Sequence, residues 1–218
     1  MEVAVDEQQA WQVIAAQRVA IADLLDGLAP DQWAAPSLCE GWTVTDVAGH
    51  LAAVLRPAPA GAMVSAAVRA RGHLHGMIDL LSREAAAEYG TSSAAMLRAE
   101  AGNTALPRLT NWRNTLFDTQ IHAQDIARPL GLVLPLDTVA AAQGAERIWR
   151  VGYLFGARKR FAGMRFEAVD ADWSAGDGPV ARGPIADLLL VLSGRPAGLL
   201  GLDGAGAPLA AARLGVAG

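Results

Sequence analysis

The sequence predicts a mainly α fold: an up-and-down four-helix bundle with a small α+β appendage at its C-terminal end. Apolar residues recur at helical spacing through residues 1–156. Ala and Leu supply much of the 52% hydrophobic content, which favours helix over sheet. After Gly156 the pattern changes to partial alternation and glycine-proline turns. We therefore expect a helical-bundle domain at 1–156 and a small α+β segment at 157–218 that packs on it.

The first two helices have clear boundaries in the sequence. The periodic stretch from about Asp6 to Leu28 predicts the first helix, which Gly27 and Pro30 bracket at its end. A second helix should begin after Thr43, because this residue is a suitable N-cap and an acidic residue follows three positions later. Prolines at positions 57 and 59 should end it.

Further helices follow along the chain. A third helical region is expected from about Gly61 to Glu88, and a short helix at Ser93–Ala101 could continue it. The fourth should begin near Pro107 and end before Pro129 and Gly131. A fifth is expected from about Asp137 to Phe155, and short loops between such helices favour an up-and-down arrangement.

The C-terminal segment contains strand and turn signals. Phe161–Trp173 alternates in part and predicts a strand, and Val180–Arg182 could form a second strand after the turn at 176–179. A helix is expected at Ile185–Ser193, ended by a glycine, and Gly201–Pro208 is expected to be a loop.

Composition excludes several classes of function. The net charge is −4 and no basic stripe is present, which argues against nucleic-acid binding. The acidic N-terminus does not resemble a signal peptide, and the apolar run Ile185–Leu192 is too short to span a bilayer. With Cys39 as the only cysteine, an intrachain disulfide is impossible. These observations predict a cytoplasmic protein without membrane or nucleic-acid partners.

Two helices carry residues that could bind a metal. His50 lies on the apolar side of the second helix, where a partner must satisfy it; a buried structural histidine is the alternative. On the fourth helix, Asp118 and His122 are four residues apart, a spacing at which both side chains can grip one divalent ion. They belong to a polar stripe without Lys, Glu or Arg, which favours an inward-facing pocket over a solvated face. Its members are Asn111, Asn114, Asp118, His122 and Asp125.

Three stretches of the sequence resemble segments of a known protein family. Residues 38–51, Leu-Cys-Glu-Gly-Trp-Thr-Val-Thr-Asp-Val-Ala-Gly-His-Leu, closely resemble the start of the second helix in the DinB-like, mycothiol-dependent maleylpyruvate isomerase family. Residues 118–131, Asp-Thr-Gln-Ile-His-Ala-Gln-Asp-Ile-Ala-Arg-Pro-Leu-Gly, look like its second signature. Residues 183–196 resemble the C-terminal portion of many actinobacterial members.

The resemblance implies a four-helix bundle with one divalent metal between helices. It implies His50, Asp118 and His122 as the ligands, with aspartate standing where better-known members carry glutamate. Two histidines and one carboxylate with open positions form a catalytic type of site. Zinc is the expected ion, with nickel as the alternative. Mycothiol or a similar thiol is the expected cosubstrate, and the chain is expected to be a monomer or homodimer.

The leading functional hypothesis is a metal- and thiol-dependent isomerase or S-transferase that acts on a small electrophilic substrate. One alternative is a metal-binding DinB-like protein of binding or stress-response function without turnover. Another is a metal-dependent hydrolase, for which Asp125 is the only general base that the sequence offers.

Several other residues have a structural interpretation beside a functional one. Asp125 could orient a ligand imidazole or, with Arg128, cap the helix end. Cys39 is expected to be a small packing residue, although a reactive thiol is conceivable. His73 and His75 are expected at the surface. Residues 170–174 begin like a calcium loop but lack the required glycine and glutamate. Residues 201–206 lack a P-loop lysine and therefore predict no nucleotide cradle.

Overall fold

The structure is a computed structural model that describes residues 5–56, 59–106, 110–152 and 155–216. Most of these residues are helical, and a small sheet lies near the C-terminus, which confirms the predicted fold class. The helices, in chain order, are α1 (Glu7–Asp26), α2 (Pro30–Trp33), α3 (Val44–Leu55), α4 (Ala60–Arg69), α5 (Leu74–Tyr89), α6 (Ser93–Ala99), α7 (Trp112–Ala127), α8 (Thr138–Arg150), α9 (Ala157–Arg160), α10 (Ile185–Leu192) and α11 (Ala207–Arg213). The strands are β1 (Arg165–Ala168), β2 (Ser174–Gly176) and β3 (Val180–Gly183).

Helix α3 begins where its capping residue predicts. The Asp46 backbone N–H donates to Thr43 Oγ1 at 3.2 Å, and the Thr43 N–H donates to Asp46 Oδ2 at 2.8 Å. This reciprocal pair satisfies two of the backbone donors that a helix start leaves open. The cap fixes the first turn of the helix that carries His50.

Two predicted helices differ from those in the structure. The region expected as one helix from Gly61 to Glu88 is divided into α4 and α5, because Arg71 and Gly72 have φ values of 52° and 75°. This left-handed conformation ends a right-handed helix, and glycine adopts it without strain. Helix α8 ends at Arg150, earlier than the predicted Phe155.

Helix α7 begins at Trp112 rather than near Pro107, a residue that lies outside the described residues. It runs to Ala127 and continues as a 3₁₀ turn at Arg128–Leu130, so Asp118 and His122 lie in its middle. The two residues that follow Pro107 are likewise outside the described part of the chain. The prediction of one continuous helix across both candidate ligands is confirmed.

The C-terminal sheet has the order β2-β1-β3. Strand β1 pairs antiparallel with β2 and parallel with β3, with Phe166 opposite Ala175 and Ala181. The strand predicted at Phe161–Trp173 is shorter in the structure, where β1 contains only Arg165–Ala168. Strand β2 was not predicted, because it consists of three small residues. The sheet packs against aromatic side chains: the Phe166 ring of β1 contacts those of Trp149 and Phe161 at centroid distances of 6.1 and 5.1 Å.

The helix predicted at Ile185–Ser193 is α10, and Gly194 ends it with φ of 91°. The segment after it is more ordered than the expected glycine-rich loop. A 3₁₀ helix occupies Pro196–Gly201, and α11 begins at Ala207 with Pro208 in its first turn. Proline is tolerated there because the first-turn N–H groups have no partner within the helix.

The chain forms two compact units, each built from separate stretches. The first unit contains Met1–Val13, Trp112–Ile121 and Pro135–Gly218; the second contains Ile14–Asn111 and His122–Leu134. In the first unit α8 packs against α10, and in the second α3 packs against α5 and α6. The boundary predicted at residues 156 and 157 stays a prediction.

A buried arginine joins parts of the second unit. Arg18 on α1 donates to the carbonyl oxygens of Ala101 and Asn103 at 3.0 and 2.7 Å. Burial lowers the pKa of Arg18 to about 10, an effect that the charge of Glu100 partly offsets.

Among the described residues, no helix combines the length and the apolar character that crossing a bilayer requires.

Candidate metal centre

His50 follows a glycine at which α3 and α5 are in close contact. A Cβ atom added at Gly49 would lie 2.5 Å from the backbone nitrogen of Ala86 and 2.6 Å from its Cα. Only a residue without a side chain allows this approach. The next residue on α3 is His50, and the close crossing brings its ring beside α5.

The hydrogen bonds of His50 assign its tautomer. His50 Nδ1 lies 3.0 Å from Ser82 Oγ, and this hydroxyl donates its own proton to the Ile78 carbonyl oxygen at 2.7 Å. The hydroxyl oxygen must therefore accept, so His50 Nδ1 carries a hydrogen. In the neutral imidazole with this hydrogen, the lone pair is on Nε2, which is then the nitrogen that can bind a metal.

His122 is held in the same way by a carboxylate. Its Nδ1 lies 2.9 Å from Asp125 Oδ2, and the Asp125 residue is fully buried. A carboxylate accepts, so Nδ1 carries a hydrogen, and in the neutral imidazole the lone pair is then on Nε2. Of the two roles predicted for Asp125, this contact supports the orientation of an imidazole. Arg128 Nε donates to Gln124 Oε1 at 2.9 Å.

The two imidazoles lie against each other and against one indole. The ring centroids of His50 and His122 are 4.8 Å apart, at an interplanar angle of 67°. Trp42 stacks on His122 at 6.3 Å and 17°, and it contacts His50 at 5.6 Å. Its Nε1–H donates to Asp79 Oδ1 at 2.6 Å. Trp42 therefore limits the rotation of both rings.

Asp118 lies one turn before His122 on the same helix. One ligand atom from each of His50, Asp118 and His122 can be chosen so that all lie within 4.8 Å of one another. His122 is buried, whereas His50 and Asp118 are half-buried. The structure thus brings the three predicted residues together, although their role as metal ligands stays a prediction.

A second cluster lies on the other side of His122, and the sequence predicted only its His122–Asp125 pair. Cys39 Sγ lies 3.0 Å from Asp125 Oδ2 and 3.8 Å from His122 Nδ1. Cys39 is half-buried and contacts functional groups, so the expectation of a plain packing residue is incomplete. The contacts of Cys39, Trp42 and Ser82 were also absent from the sequence interpretation. The position of Cys39 and Trp42 within residues 38–51 was the only available signal.

Other predicted residues lie elsewhere. His73 and His75 are exposed, which confirms their expected surface position. The carboxylate of Asp170 accepts from the Ile185 backbone N–H at 2.7 Å, so this residue of the incomplete calcium loop satisfies the start of α10. In the polar stripe of α7, Asn114 Oδ1 accepts from Arg147 Nε at 3.0 Å.

The fold defines a class of protein, namely mainly helical proteins with a small C-terminal sheet, and this chain brings ligand-type atoms of His50, Asp118 and His122 within 4.8 Å of one another. Residues 14–127 match the family described as the mycothiol maleylpyruvate isomerase N-terminal domain. The match covers more than half of the chain, and the chain belongs to this family. No curated protein sequence matches it.

Two solved structures are similar over most of the chain. The first is the crystal structure of a histidine-to-alanine mutant of mycothiol-dependent maleylpyruvate isomerase, with 14% identity and a TM-score of 0.58. The second is the crystal structure of mycothiol-dependent maleylpyruvate isomerase, with 15% identity and a TM-score of 0.57. Each comparison covers 92% of this chain and 93% of the other. At this identity the likeness shows the fold alone.

Proposed function

We propose that the chain is a metal- and thiol-dependent isomerase or S-transferase that acts on a small electrophilic substrate. His50, Asp118 and His122 hold one divalent ion, zinc or nickel, and mycothiol or a similar thiol is the cosubstrate. A reducing, cytoplasmic location belongs to the same proposal, because small thiols stay reduced there.

The observation that carries the proposal is the shared tautomer of the two imidazoles. Ser82 and Asp125 each engage an Nδ1 atom, so in the neutral tautomer of both His50 and His122 the metal-binding nitrogen is Nε2. Partners of this kind orient metal-binding imidazoles and increase their basicity. Asp118 supplies a carboxylate from the adjacent turn, so the donor set fits a zinc-type ion.

Three of the residues would bind the ion, and three others orient the two imidazoles. Two imidazoles and one carboxylate leave coordination positions for a thiol and a substrate. When bound, the ion lowers the pKa of a coordinated thiol and keeps it as the thiolate at neutral pH. Ser82 and Asp125 fix the two rings, and Trp42 limits their rotation.

The hydrolase alternative loses support at Asp125. This carboxylate is fully buried and accepts hydrogen bonds from both His122 and Cys39, so it is poorly placed to remove a proton from a water molecule. A metal-binding protein without turnover remains the second candidate, and binding of a thiol distinguishes it from the enzyme.

Calorimetry of thiol binding tests the proposal. Mycothiol is titrated into the full chain, metal-free and loaded with zinc, in two buffers of different ionisation enthalpy. We expect binding to the loaded chain only, with about one proton released per thiol as the thiolate forms. The exposed His75→Ala variant is the control and should behave as the wild type. A loaded chain that binds no thiol favours the non-catalytic candidate.

A further inference from the structure

Three different metal-binding side chains converge beside the proposed centre. Ligand atoms of Cys39, His122 and Asp125 lie within 4.8 Å of one another. Asp125 Oδ2 lies 3.0 Å from Cys39 Sγ and 2.9 Å from His122 Nδ1, and the Sγ–Nδ1 distance is 3.8 Å. His122 is 7% exposed and Asp125 is 0% exposed, so two of the three donors are removed from solvent.

These separations are close to the edges of a tetrahedral site. With zinc–ligand distances of about 2.0–2.3 Å, tetrahedral geometry puts ligand atoms about 3.3–3.8 Å apart. The Sγ–Nδ1 distance of 3.8 Å already lies at the upper end of this range. Only the Asp125 oxygen would have to move away from its two neighbours, by about half an ångström, to admit an ion.

The loop that carries the thiol is fixed by its own hydrogen bonds and by α7. The Leu38 backbone N–H donates to the Asp125 carbonyl oxygen at 3.1 Å. The Cys39 N–H donates to Ser37 Oγ at 3.1 Å, and that hydroxyl donates to the Trp42 carbonyl oxygen at 2.9 Å. The three donors are therefore held in place before any ion arrives.

We propose that Cys39, His122 and Asp125 form an alternative metal position that is selective for thiophilic divalent ions such as cadmium or zinc. A thiolate is a soft ligand and favours these ions over magnesium, calcium or manganese. This position uses Nδ1 of His122, whereas the centre proposed above uses Nε2. The inference shares His122 with that centre but does not rest on the proposed reaction.

The protons balance as follows. The ion takes the place of the thiol proton of Cys39, which is released to solvent. It also takes Nδ1 of His122, whose proton then resides on Nε2, so the imidazole remains neutral. Because Nε2 is then protonated, it cannot bind a second ion. The two positions therefore exclude each other, and one ion binds per chain.

Cadmium titration of the metal-free full chain in thiol-free buffer tests the inference. Cys39 is the only cysteine, so any thiolate-to-cadmium charge-transfer absorption reports on this residue alone. We expect an ultraviolet band that saturates at one equivalent of cadmium. The band should be lost in Cys39→Ser, which is nearly isosteric, and it should persist in His50→Ala.

Two further variants distinguish a built position from a lone thiol. His122→Ala and Asp125→Asn should shift the titration to higher cadmium concentration, and circular dichroism must show that each remains helical. A wild-type chain without the band overturns the inference, and so does an unshifted titration in the helical His122→Ala chain. Failure of the proposed function is separate, because it appears as a loaded chain that binds no thiol while the cadmium band remains.

Discussion

At the scale of single residues, the candidate centre depends on the partners of the two imidazoles. Ser82 lies 32 residues from His50 in the chain, yet its hydroxyl fixes which nitrogen of His50 carries the hydrogen. Asp125 does the same for His122 from within the same helix. The loss of such a partner typically lowers metal affinity by about 10–100-fold while the ligands themselves remain.

Ser82→Ala should therefore weaken zinc binding by about tenfold, because His50 Nδ1 loses its acceptor. Zinc competition with a chelator measures this effect, in a Cys39→Ser background that removes the alternative position. Ser92→Ala is a matched control, since Ser92 Oγ also donates to a carbonyl oxygen of the preceding turn but is exposed. Equal zinc affinity of the two variants would contradict the role of Ser82.

At the scale of helices, the approach of α3 to α5 positions His50. Gly49 permits the contact, since an added Cβ would lie 2.5–2.8 Å from Ala86 atoms that include its backbone. Backbone atoms cannot move aside as the end of a flexible side chain can. A larger residue at position 49 must therefore separate the two helices.

Gly49→Ala should destabilise the chain by about 1–3 kcal/mol through overpacking. It should also weaken zinc binding, because His50 moves away from Ser82. Gly61→Ala on α4 is the control: nothing lies within 4 Å of an added Cβ there, and alanine favours helix by up to about 1 kcal/mol. Urea unfolding compares the two, and a Gly49→Ala chain as stable as wild type would refute the packing argument.

At the scale of the whole molecule, the C-terminal elements depend on α8. In the first unit, a Cβ at Gly144 would lie 3.5 Å from Leu189 of α10, and Trp173 Nε1 donates to Glu146 Oε2 at 3.1 Å. The side chains of α10 are almost all buried. A fragment that begins after α8 would leave much of this apolar surface in water.

The isolated fragment 157–218 should therefore be unfolded. About 60 residues bury too little surface to be stable without disulfides or a bound metal, and in this fragment the contacts with α8 are also missing. Amide resonances of the fragment should be poorly dispersed, and urea should produce no cooperative transition. The fragment 135–218, which retains α8, should be more helical. Sharp, dispersed resonances from 157–218 would contradict this expectation.

The sequence predicts elements whose signals are local. The cap at Thr43 and the glycine at position 194 set helix ends that the structure contains. The break at Arg71 was not predicted because a left-handed residue in an Ala- and Gly-rich stretch leaves no periodic signal. Strand β2 is too short to alternate and exists through its pairing with β1.

In the candidate site, too, the features with local sequence signals were predicted and those that depend on distant contacts were not. The resemblance to a family singled out His50, Asp118 and His122, and helical spacing supported the pair on α7. The orientation of His122 by Asp125, three residues away on the same helix, was predicted. The contacts of His50 with Ser82 and of Cys39 with Asp125 join residues 32 and 86 positions apart in the chain. Only the folded arrangement brings them together, so spacing within one helix could not reveal them.

The central claim is that His50, Asp118 and His122 hold one divalent ion. The most direct test is the zinc content per chain, measured by elemental analysis after dialysis, in a Cys39→Ser background. This background should retain about one zinc per chain. His50→Ala and His122→Ala should each lose it without loss of helicity, and the exposed His75→Ala should retain it. Full zinc occupancy in a helical His50→Ala or His122→Ala chain would show that the ion is bound elsewhere.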